Sequence, residues 1–455
     1  MTPRTLANAM PHPMAIAALA PLAPRPRTVA ETGLSLHFLA ELLAKHLHSG
    51  GVLTIGQLTE RVALAGPILE TVLNFLRKEA RVEVLGSTSG STELRYALTD
   101  RGRNWALEGL LRSGYIGPAP APLDVYTEVV RAQSVRRLGV NRDAMRQAFQ
   151  GIVVREALLD QLGPALHSGR AIFVYGEPGT GKTYISQRLA GLLGDTVLIP
   201  HAIMVGDTVI QIFDPILHQP VAADAAPASA TLHEGHDPRY VQCRRPAVLT
   251  GGELTLDMLE LQYDPDHKLY RAPLQLKATN GLYLIDDLGR QRVPSVDLLN
   301  RWIVPMDGGV DYLTLGSGQR FPVLFDVVLV FSTNLNPLDL ADEAFLRRLG
   351  YKIRFDPLDP AEYQAVWRQV CAQLGIPFDA GMLSYMLECF YAKDGIPLLP
   401  CHPRDLLGLV ADHCRYHNEA VQVTPDNLAF AWNTYFIRLN GAASHQPLPE
   451  RKPIP

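Results

Sequence analysis

Ala171-Ile-Phe-Val-Tyr175 runs without a break into Gly176-Glu-Pro-Gly-Thr-Gly-Lys-Thr183. A short apolar stretch of this kind reads as a strand buried on both faces. The eight residues after it fit the pattern GxxxxGKT, and Ile185 and Leu189 then continue on one face of a helix. Strand, glycine-rich turn and helix together make a phosphate cradle, because the glycines let backbone N–H groups turn inward toward phosphate oxygens. On this reading Gly176, Glu177, Pro178, Gly179, Thr180, Gly181, Lys182 and Thr183 hold a nucleoside triphosphate. Lys182 neutralises the β- and γ-phosphates, and the Thr183 hydroxyl ligates Mg²⁺.

Such a cradle needs a second apolar strand that ends in acids, and Gly281-Leu-Tyr-Leu-Ile-Asp286-Asp287 supplies it. Asp286 is expected to hold Mg²⁺ through its water shell, and Asp287 to orient or polarise the attacking water. Further on, Val327-Val-Leu-Val-Phe-Ser-Thr-Asn334 is another apolar run closed by a polar residue. Asp342-Glu-Ala-Phe-Leu-Arg347-Arg348 precedes the strand-like Lys352-Ile-Arg-Phe355, and Pro403-Arg404-Asp405-Leu406 follows near the C-terminus. In this order and spacing the motifs resemble the AAA+ family of ATPases over about residues 150–438.

The resemblance implies an α/β fold: a P-loop AAA+ parallel sheet with a helical lid. It implies ATP and Mg²⁺ as ligands and ATP hydrolysis as the reaction. It assigns Asn334 to sensor 1, holding the attacking water. Arg348, with Arg347 close behind, resembles the arginine finger that enters a neighbouring subunit's site. Arg404 resembles sensor 2, reaching the phosphates from the lid. Many relatives carry Glu where Asp287 stands; Asp is one methylene shorter, and bacterial helicase loaders and initiators also carry Asp-Asp. A finger acting in trans implies a homo-oligomer, commonly a hexamer in the resembled family.

Between the acidic strand and Asn334, the helical Val296–Trp302 is followed by Gly308-Gly-Val-Asp-Tyr-Leu-Thr-Leu-Gly-Ser-Gly-Gln-Arg-Phe-Pro-Val323. Two strand-like runs flank Gly316-Ser317-Gly318, which reads as a β-hairpin. Helix, hairpin and sensor 1 in this order resemble the pre-sensor-1-hairpin branch, which includes insertion chaperones and bacterial enhancer-binding activators. A second hairpin is expected where Leu259–Tyr263 and Lys268–Tyr270 flank Asp264–His267, after the helical-looking Leu254–Leu259. It resembles the insert within the second helix that marks part of that branch and often touches a protein substrate. Thr208–Phe213 reads as a strand ended by Asp214-Pro215. Arg239, Arg244 and Arg245 read as a solvated loop, with contact to a neighbour, a partner or nucleic acid as the alternative. No aromatic-hydrophobic-Gly pore loop is evident.

Upstream, Leu36 to Leu47 carries apolar residues at helical spacing, ended by Gly50-Gly51. Thr54 caps a short helix through Ala63, and Pro67 opens a third helix over Ile68–Arg77. Val82–Leu85 and Glu93–Leu98 read as a hairpin joined by Gly86–Ser91, and Thr99-Asp100 opens a last helix. This order resembles a winged-helix module, small and α+β, in which the third helix is the usual reader of DNA. Lys and Arg only balance Asp and Glu over residues 31–112, where a phosphate-binding surface needs clustered positive charge. Arg95, Arg101 and Arg103 are the candidates for backbone contact; docking to a protein is the other reading.

The chain has 455 residues and a net charge of −4, enough for two or three domains and against a protein that coats nucleic acid by bulk charge. Its five cysteines include no CxxC, which fits a reducing compartment and not a disulfide scaffold. Cys401, His402, His413, Cys414 and His417 match no common zinc spacing, and Leu406, Leu409 and Val410 between them read as a buried helix face. No apolar run reaches the roughly 20 residues of a membrane span. The expected plan is a disordered leader (1–30), the winged-helix-like module (31–112), a Pro-rich linker and helical segment (113–150) that includes Gly117–Pro122, and the nucleotide core (151–357). A helical lid (358–440) and a disordered tail (441–455) follow. Helical segments are expected to run toward the nucleotide core, one of them Val153–Leu162, followed by Gly163-Pro164. Three functions stay open: a cytoplasmic remodelling machine acting on an unidentified protein client, a DNA-linked ATPase recruited through residues 31–112, and a slow nucleotide-dependent switch.

Overall fold

Five strands form the central sheet: β1 Ile172–Gly176, β2 Ala247–Thr250, β3 Leu282–Ile285, β4 Val328–Thr333 and β5 Tyr351–Phe355. They lie in the order β2-β3-β4-β1-β5. β2 pairs parallel with β3, β3 with β4, and β4 with β1. At the far edge Tyr351 N–H donates to the carbonyl of Ala171 at 3.3 Å. Every residue of β3 and β4 is buried, which is why both read as unbroken apolar runs. The glycine-rich loop leaves β1 and enters the helix Lys182–Gly191. The chain has a P-loop α/β fold, and Phe173, Tyr283, Phe331 and Trp302 fill its core. The structure is a computed structural model that describes residues 22–86, 94–221 and 235–436. Its residues group into two units, one holding the chain before Gly151 with Val154–Gly176 and Lys182–Arg354. The other holds Gly151–Val153, Glu177–Gly181 and the chain from Phe355.

Within the first unit the N-terminal module consists of helices Leu36–Gly50, Ile55–Val62, Gly66–Lys78 and Asp100–Arg112 with three short antiparallel strands. Leu53–Thr54 and Val82–Leu85 flank Arg95–Leu98. The Thr54 hydroxyl accepts from Gln57 N–H in a capping box, Pro67 sits in the first turn of its helix, and Thr99 caps the last helix. The loop at 87–93, the start of the leader and the tail lie outside the described residues.

The expected leader extends too far. Ala23 is 1% exposed and packs with Ala121, Val129, Leu198 and Tyr240. Gly117–Pro122 is not a free linker either. Tyr115 donates its hydroxyl to the Pro118 carbonyl at 2.7 Å, and Ala119 N–H donates to Val62 C=O at 2.8 Å. Ala121–Pro122 pairs parallel with Ile203–Met204. The helix expected to stop at Leu162 continues from Glu156 to Ser168 through Gly163-Pro164, because Leu162, Ala165 and Leu166 keep a buried face across the proline.

Residues 196–277 build a second set of strands. Gln262–Asp264, Leu269–Arg271, Thr208–Gln211, Ala202–Val205 and Ala121–Pro122 form one sheet in that order. Thr196–Pro200 pairs antiparallel with Tyr240–Arg244. The expected hairpin is present, with Tyr263 opposite Tyr270. It lies between two four-residue helical turns, Leu256–Leu259 and Leu274–Lys277. The other hairpin pairs Val310–Thr314 with Arg320–Leu324, after the helix Ser295–Gly308. Arg239 and Arg245 are corrected from a solvated loop to buried positions, 2% and 7% exposed. Arg239 pairs with Asp237 at 2.8 Å and donates to the carbonyls of Thr32 and Pro120. Arg245 pairs with Asp195 and donates to Asn280 C=O at 2.7 Å. Only Arg244 of the three is exposed.

The second unit is helical: Pro360–Leu374, Ala380–Met386, His402–Tyr416 and Pro425–Tyr435, with shorter turns between. Trp367, Trp432 and Tyr363 are fully buried in it. His402 Nδ1 and the Tyr391 hydroxyl share a hydrogen bond at 3.0 Å, Cys414 accepts from Asn427 at 3.3 Å, and His413 stacks on Phe430 at 4.0 Å.

Candidate nucleotide site

The site begins where β1 ends. Gly179 and Gly181 have φ of 86° and 87°, a left-handed backbone that a side chain resists. The Thr180 hydroxyl donates to the Glu177 carbonyl at 2.8 Å and braces the loop. Lys182 is the first helical residue and is 5% exposed, and its ammonium donates to the Gly176 carbonyl at 2.9 Å. That bond folds the side chain back to the end of β1, where a phosphate chain would run.

Thr183 Oγ1 donates to Asp286 Oδ2 at 2.7 Å, bringing the P-loop helix and the end of β3 together. Asp286 N–H donates to Thr250 C=O at 2.7 Å, which fixes the acid at the carboxyl edge of the sheet. In open α/β sheets this edge is where ligands bind. Asp287 sits at φ 49°, an uncommon conformation that Asp tolerates better than most residues. Its N–H donates to Asp286 Oδ1 at 3.0 Å. The Asn334 amide donates to Asp287 Oδ1 at 2.9 Å. Thr183 thus meets Asp286 and Asn334 meets Asp287, with Lys182 beside Thr183 at the start of the P-loop helix.

One neighbour carries no sequence signal. Gln291 donates to the carbonyls of Gly251 and Asp286 at 3.2 Å each and accepts from Gly289 N–H at 2.8 Å. It secures the turn after Asp287 to the end of β2. A glutamine four residues past the acids belongs to no motif, so only the folded chain reveals it.

The arginines lie elsewhere. Arg348 ends the helix Glu343–Arg348, and its Nε donates to Asp307 Oδ2 at 2.7 Å. Arg347 beside it is exposed. Arg404, in the first turn of His402–Tyr416, belongs to the second unit and has a side chain 80% exposed.

No curated protein matches the chain. A domain of unknown function, DUF8689, matches residues 359–434. Among solved structures, a point mutant of Thermotoga maritima RuvB aligns at a TM-score of 0.36 and 11% identity. It covers 61% of this chain and 69% of its own. A T. maritima structure described as the RuvB Holliday junction branch migration motor aligns at 0.34 and 13%, covering 71% of this chain and 73% of its own. NtrX from Brucella abortus aligns at 0.35 and 13%, covering 72% of this chain and 61% of its own. At these scores the likenesses carry no weight beside the sheet order and loop geometry above.

The residues present fit a metal–triphosphate ligand. The Thr183 hydroxyl and Asp286 carboxylate are hard oxygen donors 2.7 Å apart, the ligand type Mg²⁺ takes. Bound there, Mg²⁺ would neutralise charge on the phosphates. The cradle would bind phosphate oxygens by backbone N–H groups, and Lys182 would add the positive charge.

Proposed function

We propose that this chain binds and hydrolyses ATP as an AAA+ ATPase. The observation that carries the reading is the paired contact at the strand ends, Thr183 to Asp286 and Asn334 to Asp287. It supplies both halves of a phosphoryl-transfer site: oxygen ligands for Mg²⁺, and a carboxylate held by an amide where water must be oriented. Asp287 accepts the proton of the attacking water or polarises it, and Asn334 keeps the carboxylate aimed. Arg348, with Arg347 as the alternative, serves a neighbouring copy as the finger, and Arg404 acts as sensor 2. On this reading the chain works as a homo-oligomer, a hexamer in the resembled family.

A protein client is favoured over DNA. Of the three arginines expected at a DNA backbone, Arg95 and Arg103 already have protein acceptors, and Arg101 has only a more distant acid beside it. Arg95 donates to Gly86 C=O at 3.0 Å, Arg103 donates to Leu98 C=O at 2.8 Å and pairs with Asp100, and Arg101 lies 3.9 Å from Glu79. No helix of the described residues is long and apolar enough to cross a membrane.

The test is steady-state ATPase activity over a protein concentration series, with and without duplex and single-stranded DNA, alongside Lys182→Ala. Specific activity that rises with concentration, ignores DNA and disappears with Lys182→Ala is the expected result. Stimulation by DNA moves the reading to a DNA-linked ATPase. Tight ATP binding without turnover leaves a nucleotide-dependent switch. Normal ATP binding by Lys182→Ala overturns the site itself.

A further inference from the structure

We propose that the N-terminal module and the two hairpins move as one body, clasped at Gly114, so that whatever the module binds reaches the nucleotide core through the hairpins. Only the last step rests on the ATPase reading.

The clasp is held from both sides. On the module side, the buried Lys45 donates to Ser113 C=O at 2.9 Å and pairs with Glu41 at 3.0 Å, while Glu41 also takes Arg112. On the hairpin side, Gly114 N–H donates to Lys268 C=O at 3.3 Å, and the Lys268 ammonium donates to Leu111 C=O at 3.0 Å. The approach is so close that a Cβ at residue 114 would stand 1.9 Å from the His267 carbonyl oxygen. Real Cβ atoms do not come that near backbone, so glycine is required there by contact. The two parts also share a core: Ala202 and Val209 lie in the module's buried cluster, with Leu269 and Met204 packed against it.

From the clasp the connection continues. Tyr270, on the same hairpin as Lys268, accepts from Gly316 N–H at 2.9 Å, joining it to the loop of the second hairpin. At the base, Arg301 donates to Glu260 at 2.8 Å and to both carboxylate oxygens of Asp311, at 2.7 and 3.0 Å. Arg301 lies on Ser295–Gly308, the helix that follows the Asp286-Asp287 turn. The route from the module to this helix therefore runs through packed side chains and hydrogen bonds, and the chain itself then joins the helix to the Asp286-Asp287 turn.

The test uses the full chain and two variants. Gly114→Ala places a methyl group where the His267 carbonyl stands. Lys268→Met keeps the length of the side chain and removes the ammonium from Leu111. Amide hydrogen exchange is followed at Leu313–Phe321, which neither substitution touches. Both variants are expected to raise exchange there roughly three- to tenfold, the factor that one net hydrogen bond is worth. The module's own Leu39–Leu47 should keep its protection. ATP turnover should change in the same direction in both variants. Unchanged exchange at Leu313–Phe321 in both overturns the clasp. Raised exchange with wild-type turnover retained overturns the regulatory step. Raised exchange in a chain whose wild type shows no turnover supports the clasp and refutes the ATPase reading instead.

Discussion

Asn334 is the residue on which binding and chemistry separate. Its amide donates to Asp287, the residue proposed to orient the attacking water. Asn334→Ala should therefore keep ATP binding and slow hydrolysis by roughly a hundredfold, the lower range for a misplaced acid–base partner. Equilibrium binding of a fluorescent ATP analogue beside single-turnover hydrolysis checks it; equal loss of both would place Asn334 in the binding surface. His402 allows a different test. Burial holds its ring well below the ordinary 6.5, at about 4, and the ring is hydrogen-bonded to the Tyr391 hydroxyl. The unfolded ring takes a proton below 6.5, whereas the folded ring stays neutral down to about 4. Its stability contribution is thus full above pH 6.5 and is lost as pH falls toward 4, by up to about 1.4 kcal/mol per pH unit. Urea unfolding at pH 7 and pH 5 should show a wild-type advantage over His402→Gln that shrinks at the lower pH. A constant advantage would mean the ring does not titrate between the two states.

Strands and helices are legible in the sequence where their signals are local. Thr54, Thr99 and Pro67 mark helix starts through side-chain caps and a fixed φ, and β3 and β4 announce themselves because both faces are buried. The strand-rich region escapes a sequence reading where partners are distant. Ala121–Pro122 finds Ile203–Met204 some eighty residues on, and nothing in a proline-rich stretch foretells a parallel partner. A local clue does exist at Gly206-Asp207, which joins Ala202–Val205 to Thr208–Gln211 with Gly206 at φ 57°. Arg239 misleads for a related reason, since its acceptors at Thr32 and Pro120 come from the far end of the chain. That burial makes Arg239 a node among three segments. Arg239→Met should cost about 3–5 kcal/mol by leaving Asp237, 1% exposed, as an uncompensated buried charge. Denaturant unfolding measures the cost, and adding Asp237→Asn should recover part of it. A loss within experimental error of zero would mean that Asp237 finds water or another cation.

An arginine held by an acid of its own chain has to be reconciled with an arginine that serves a neighbour. Arg348 Nε donates to Asp307 on a helix that follows β3, so its position is tied to the element that continues from the Asp286-Asp287 turn. In a monomer that contact orients the side chain; in an assembly it would present the guanidinium to the next copy's γ-phosphate. Arg348→Ala should therefore bind ATP and fail to turn it over. Asp287→Asn should fail for the opposite reason, lacking its own acid while offering an intact finger. In a ring of mixed subunits, an Arg348→Ala copy flanked by an Asp287→Asn copy regains one complete site. Titrating one inactive variant into the other should restore activity that peaks near equal amounts, the behaviour of a site shared between subunits. Activity absent at every ratio, with mixed assembly confirmed by native mass spectrometry, would place the whole site within one chain. The same experiment with Arg347→Ala then decides between the two arginines, because only the residue that crosses the interface can be complemented.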